Sequence, residues 1–94
     1  LTEADLSKAN LDKANLNSTN LSKARLSGAN LNYANLIKTD LTEANLSGAN
    51  LNNANLIGAD LTEANLSGAR VTAEQLSRAK SLRGATLANG TKHD

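Results

Sequence analysis

The chain has 94 residues and a formal net charge of +1, with nine acidic and ten basic side chains. That length sets the scale of one domain. Tyr33 is the only aromatic residue, and there is no Phe, Trp, Met, Cys or Pro. These counts exclude an aromatic core, disulfides and thiolate chemistry, and the charges give no strongly polarised block. The core must be made of Leu and Ala.

From Leu1 to Val71 an apolar anchor falls on every fifth residue, Leu each time except Val71. Ala stands two places before each anchor, replaced only by Thr19 and Thr39. Asn stands one place before it, with Asp5, Asp40, Asp60, Arg25 and Arg70 as variants. A period of five fits neither the 3.6-residue helix nor the two-residue strand. A fixed self-similarity of this kind marks stacked repeats. A second period of twenty is superposed, since residues 42–49 recur without change at 62–69. Four units of five then close one coil. Inward-facing Leu and Ala form a ladder, while Asn and the two variable residues face water. Coils spaced as neighbouring strands are, about 4.8 Å apart, would bond one to the next. Gly28, Gly48 and Gly68 are twenty apart and two places after an anchor. They predict one corner column of type II turns, with Gly58 on the next corner.

The tandem unit A-(N/D)-L-x-x, carried from Leu1 to about Val71, resembles the pentapeptide repeat proteins. The resemblance implies an all-β solenoid, a right-handed four-sided β-helix with the Leu and the preceding Ala lining its interior. Thr19 and Thr39 depart from that unit and would crowd one side.

The rule breaks after Val71. Thr72 with Gln75 three residues on predicts a capping box. Ala73, Leu76 and Ala79 share one helical face, so a short helix is expected over about 73–80. Such a lid shields the last Leu layer of a solenoid, and it resembles the C-terminal cap of some family members. The domain plan is therefore a β-helix at 1–71, a capping helix at 72–80, and an extended piece with Leu82 and Leu87 at 81–94, ending in a frayed tail from Ala88. The other end has no matching lid. Leu1 opens directly in register without a Met, the mark of a chain trimmed or continued upstream. Leu1, Leu6, Leu11 and Leu16 are the candidate contact of that end, for weak pairing with a second copy.

Catalysis finds little inventory. The single His93 lies in the tail, and without Cys or further His there is no nucleophilic triad and no His-based metal site. No catalytic, cofactor-binding or metal-binding residue is assigned, and no cofactor is expected. Asp40 and Asp60, twenty apart and followed by Lys80, form a carboxylate stack that could raise one pKa or hold a cation, against the plainer role of accepting hydrogen bonds. Glu3, Lys23, Glu43 and Glu63 make a charged column, and Asp5 lies beneath Arg25. The best-understood relatives in the family resemble duplex DNA and bind a DNA topoisomerase (gyrase). Mimicry needs about one negative charge per 1.7 Å of axis, and nine acids against ten bases do not supply it. Without a basic stripe or stacking aromatics, nucleic acid is disfavoured too. No apolar run reaches the roughly 18 residues of a membrane span, and the cytoplasm is the default compartment. The expected role is a non-enzymatic module for binding an unnamed protein partner. The candidate surface is Tyr33, Asn52 and Asn53, or the Ile37/Ile57 ridge.

Overall fold

The computed structural model describes residues 1–93, and Asp94 lies outside them. The residue before each anchor forms a single parallel bridge to the residue twenty places on. Asp5 pairs with Arg25, Asn10 with Asn30, Asn15 with Asn35 and Asn20 with Asp40, and the series continues to Asn50 with Arg70. Four bridges per coil give a four-sided solenoid, with coils at 1–20, 21–40, 41–60 and 61–80. Its first side opens at Leu1, Leu21, Leu41 and Leu61, and the second, third and fourth follow at intervals of five. The molecule measures 29 × 22 × 21 Å.

Each corner is a β-turn. Ala4 N–H donates to the Leu1 carbonyl at 3.0 Å, and Ala24 to Leu21 and Ala44 to Leu41 do the same. Only the third residue of each turn has positive φ, which is the type II geometry. The glycine column therefore understates the case, because every corner of the repeat takes this turn. Ten corners carry non-glycine residues, among them Lys13, Tyr33 and Asn53, held at φ between 58 and 62°. An L-residue costs roughly 1–2 kcal/mol in this region, and the bonds on both sides of the corner hold it there. Gly48 is not required for space, since a Cβ there would come no nearer than 3.9 Å to Gly28 N. Its advantage is conformational.

The ladder uses nearly every donor. In the unit 41–45, Leu41 N–H bonds the Asp60 carbonyl (2.8 Å) and Glu43 N–H the Thr62 carbonyl (2.9 Å) on the next coil. Ala44 N–H closes the turn, and Asn45 N–H reaches back to the Ala24 carbonyl at 3.0 Å. The fifth donor, Thr42 N–H, bonds Asp40 Oδ1 at 3.0 Å. The outward Asn and Asp residues are thus acceptors that complete each corner, the plainer role given above for Asp40 and Asp60. Where Arg25 replaces Asn, the matching Ser27 N–H has no acceptor among the described residues.

The anchors from Leu21 to Leu66 are at most 2% exposed, and Ala24 to Ala69 fill the gaps between them. Not every anchor is inside. Leu1 is 64% exposed, and Leu6, Leu11 and Leu16 are only half-buried, because no coil covers them. Thr39 is fully buried, and its hydroxyl donates to the Leu16 carbonyl at 2.7 Å, so the polar group expected to crowd this side is satisfied.

Helix α1 spans Ala73–Ser77 and begins with the expected capping box, in which Gln75 N–H donates to Thr72 Oγ1 and Thr72 N–H to Gln75 Oε1. It is shorter than 73–80 because the ladder resumes. Gly58 N–H donates to the Arg78 carbonyl (2.9 Å) and Lys80 N–H to the Ala59 carbonyl (2.7 Å). Leu76 and Ala79 pack on the core, whereas Ala73 is exposed. Beyond the helix the chain lies on the first two sides as a partial fifth coil rather than beside α1. Its register is shifted by one residue, with Ser81 bridged to Asp60 and Thr86 to Asn65. The tail turns back in a hairpin. Thr86 pairs antiparallel with Lys92, and His93 N–H donates to the Ala85 carbonyl at 2.7 Å, so the expected fraying does not begin at Ala88.

Truncating Leu51, which is 0% exposed, should cost about 2–5 kcal/mol. The same change at half-buried Leu6 should cost clearly less. Denaturant unfolding of L51A and L6A checks both, and equal losses would mean that coil one is as well covered as coil three.

Candidate functional site

The candidate surface lies on the third and fourth sides of coils two and three. Stacking puts Tyr33 against Asn53 and Ile37 against Ile57. Tyr33 N–H donates to the Asn52 carbonyl and Lys38 N–H to the Ile57 carbonyl, both at 2.9 Å. Tyr33 is 59% exposed and Ile57 45%, with Asn52 and Asn53 also exposed, while Ile37 is half-buried. The fold therefore brings the five residues onto one two-sided patch. Asn32, on the same face, has its Oδ1 buried without a hydrogen-bond partner.

Beside the patch is a cleft of about 330 Å³, lined by Asn53, Leu56, Gln75 and Arg78 among others. The sequence reading did not find it. Its signals were Arg70, which lacks the oxygen that normally accepts the N–H two residues on, and the capping box that supplies a replacement. Gln75 Nε2 also donates to the Leu51 and Ala54 carbonyls at 2.7 and 3.0 Å, and at Ala54 it does with its side chain what coil backbone does elsewhere. Arg78 and Glu74 form an exposed ion pair at 3.3 Å. A pair so exposed adds little stability.

A second recess, of about 470 Å³, is lined by Lys38, Thr39, Asp40, Gly58, Asp60 and Lys80. Asp40 and Asp60 are bridged as the spacing requires. The stack does not raise the Asp60 pKa. The Thr62 hydroxyl, donating to Asp60 Oδ1, holds the carboxyl below its ordinary value against partial burial, and the Thr62 N–H and the Lys80 charge add to it. Asp5 is lowered chiefly by Ser7, with a smaller contribution from Arg25, its bridge partner. No group of three or more His, Cys, Asp or Glu side chains gathers to hold a metal ion among the described residues. The column Glu3, Lys23, Glu43 and Glu63 closes no ion pair within 4 Å among the described residues. His93 is exposed in the terminal hairpin. Leu1, Leu6, Leu11 and Leu16 line the open end of coil one. Among the described residues no helix is long and apolar enough to cross a membrane.

The depressed Asp60 pKa makes a signed prediction. A carboxylate lowered on folding contributes stability above its unfolded pKa of about 3.9 and loses it as pH falls through the folded value. Asp60→Asn keeps the Oδ1 acceptor but removes the charge. Wild type should melt above D60N near pH 7, and the gap should close towards about pH 2. A gap independent of pH would contradict the assignment.

Comparison with known proteins accords with this geometry. The family model described as pentapeptide repeats matches residues 1–36, 9–48 and 39–72, in eight copies. A pentapeptide repeat protein from the Arabidopsis thaliana thylakoid lumen is similar at 31% identity and a TM-score of 0.58, covering 93% of this chain and 60% of that one. The chain thus spans 60% of that protein's length. A pentapeptide repeat protein from Nostoc PCC 7120 is similar at 27% identity and a TM-score of 0.71, covering 93% of this chain and 79% of its own. No curated protein matches. With the five-residue unit matched over residues 1–72 and the coils stacked twenty residues apart, the chain belongs to the pentapeptide repeat family.

Proposed function

We propose that this chain is a non-enzymatic interaction module, a right-handed quadrilateral β-helix that presents its third and fourth sides to a protein partner. The observation that carries the reading is the patch itself. Tyr33, the only aromatic residue, is exposed over the third side with Asn52 and Asn53, and Ile57 is exposed on the adjoining fourth side. Exposed aromatic and aliphatic groups amid amides are the material of interface cores and rims. In this reading α1 is the lid of the C-terminal end, tied down by Gln75. A second copy of the chain can associate weakly at the open end of coil one, through Leu1, Leu6, Leu11 and Leu16, because one coil cross-section offers far less than the roughly 800 Å² per partner of stable interfaces. Mimicry of duplex DNA against a topoisomerase is disfavoured by ten bases against nine acids.

Site-specific photo-crosslinking in extract of the source cell tests the proposal. A probe at Tyr33 should give one discrete adduct with another protein, and a probe at Glu43, on the first side, should give none. A probe at Leu6 should give an adduct of twice the chain mass that fades on dilution. Matching adducts from Tyr33 and Glu43, or none from either, would overturn the side-face reading. Inhibition of gyrase supercoiling by micromolar protein would replace it with mimicry.

A further inference from the structure

The ladder is interrupted at one place beside the patch. On the third side of coil two, Tyr33 and Leu36 N–H donate to the Asn52 and Asn55 carbonyls one coil on, each at 2.9 Å. The equivalent donors of coil three are Asn53 and Leu56, and neither has a protein acceptor among the described residues. The cause is α1. The carbonyls that would have accepted belong to Thr72 and Gln75, and these are taken within the helical turn by Leu76 N–H at 3.1 Å and Arg78 N–H at 3.2 Å. Gln75 Nε2 repairs the vacated ladder acceptor of this edge, the Ala54 carbonyl, but an amide nitrogen cannot repair donors. Two backbone N–H groups are left over, on residues that both line the cleft of about 330 Å³. Leu56 is 2% exposed, so its unpaired donor belongs to a buried residue. A buried donor without a partner is costly enough to favour any ligand that supplies one.

We propose that this gap takes a short peptide segment of a partner protein, bent as the coil backbone is, its carbonyl oxygens accepting from Asn53 and Leu56. The proposal rests on the side-face reading above and specifies how the face binds. Two observations choose the occupant. One coil lower on the same side, the equivalent two donors are satisfied at 2.9 Å by the backbone of residues 52–55, which passes through the left-handed corner residue Asn53, so the spacing suits a peptide bent as the coil is. The Ala54 carbonyl between them is engaged by Gln75, so the ligand's contribution is carbonyl oxygen. Pairing through main-chain bonds, with neighbouring side chains giving preference, is a general mode of peptide recognition. Here Glu74 and Arg78 line the cleft beside the two donors. With two backbone bonds and a small area, affinity for an isolated peptide belongs in the millimolar range.

The test uses the full chain labelled with 15N and, as probe, an acetylated and amidated heptapeptide of the sequence 50–56, which makes these bonds to coil two in the fold. Without peptide, the Asn53 and Leu56 amides should exchange with solvent at least about tenfold faster than those of Tyr33 and Leu36. On titration to a few millimolar peptide, both amide resonances should shift saturably and their exchange should slow. Equal protection of the four amides without peptide would overturn the proposal. So would shifts that are absent, or confined to the open end at Asn10 and Asn15. If the peptide misses the gap while the Tyr33 cross-link persists, peptide pairing at the gap falls and the side-face reading stands. If the cross-link is also lost, both fall.

Discussion

A backbone that turns a corner every five residues would strand one N–H per corner if the ladder were its only source of acceptors. Of the five donors in each unit, two point to the next coil, one points to the previous coil and one closes the turn. The fifth is met by a side chain, the Oδ1 of the Asn or Asp two residues earlier. That contact recurs from Asp5 to Asn65 at about 3 Å. It ties down the corner at the surface and pairs the donor where the site is part-buried, as at Asn30, Asn35 and Asn65, where leaving it unpaired would carry a penalty of roughly 1–3 kcal/mol. It also explains why the position tolerates Asp as readily as Asn: both carry the needed oxygen. Arg25 does not. At Arg70 the missing oxygen is supplied by Gln75, and the regular coil stops there.

With the corners satisfied, a core of Leu and Ala is enough. Each coil needs to fill only a narrow square section, and the next coil repeats the same shape, so stability accumulates along one dimension. The ten left-handed non-glycine corners are tolerated for the same reason. Bonds to the coils above and below determine the backbone more strongly than local preference does. This logic fails where α1 replaces the coil and leaves two donors of coil three without acceptors among the described residues. The candidate side patch lies beside that irregularity.

The coil was legible in the sequence because a hydrophobic period of five and an identity period of twenty have few other physical readings. The helix start was legible from Thr72 and Gln75. Its end was not, because Ala79 continues the apolar spacing while Arg78 and Lys80 answer backbone groups on Gly58 and Ala59 that only the fold brings near. The universal type II corner was hidden by Lys, Glu and Tyr, whose identities argue against a positive φ that tertiary bonds impose. Tyr33, Asn52 and Asn53 could be placed on one side, and Ile37 and Ile57 on the next, by counting residues. The cleft beside them could not, since it arises from carbonyls that the helical turn takes away from the ladder.

The side-chain acceptor at the corner is the interaction to remove. Asn35 Oδ1 accepts from Ile37 N–H at 3.0 Å in a half-buried setting on the face proposed to bind. Equilibrium unfolding of Asn35→Ala and Asn35→Asp, compared with wild type, isolates it. The expected result is a loss of about 1–2 kcal/mol for N35A and near-complete recovery in N35D, which restores the oxygen. A neutral N35A, or an N35D as unstable as N35A, would contradict the account.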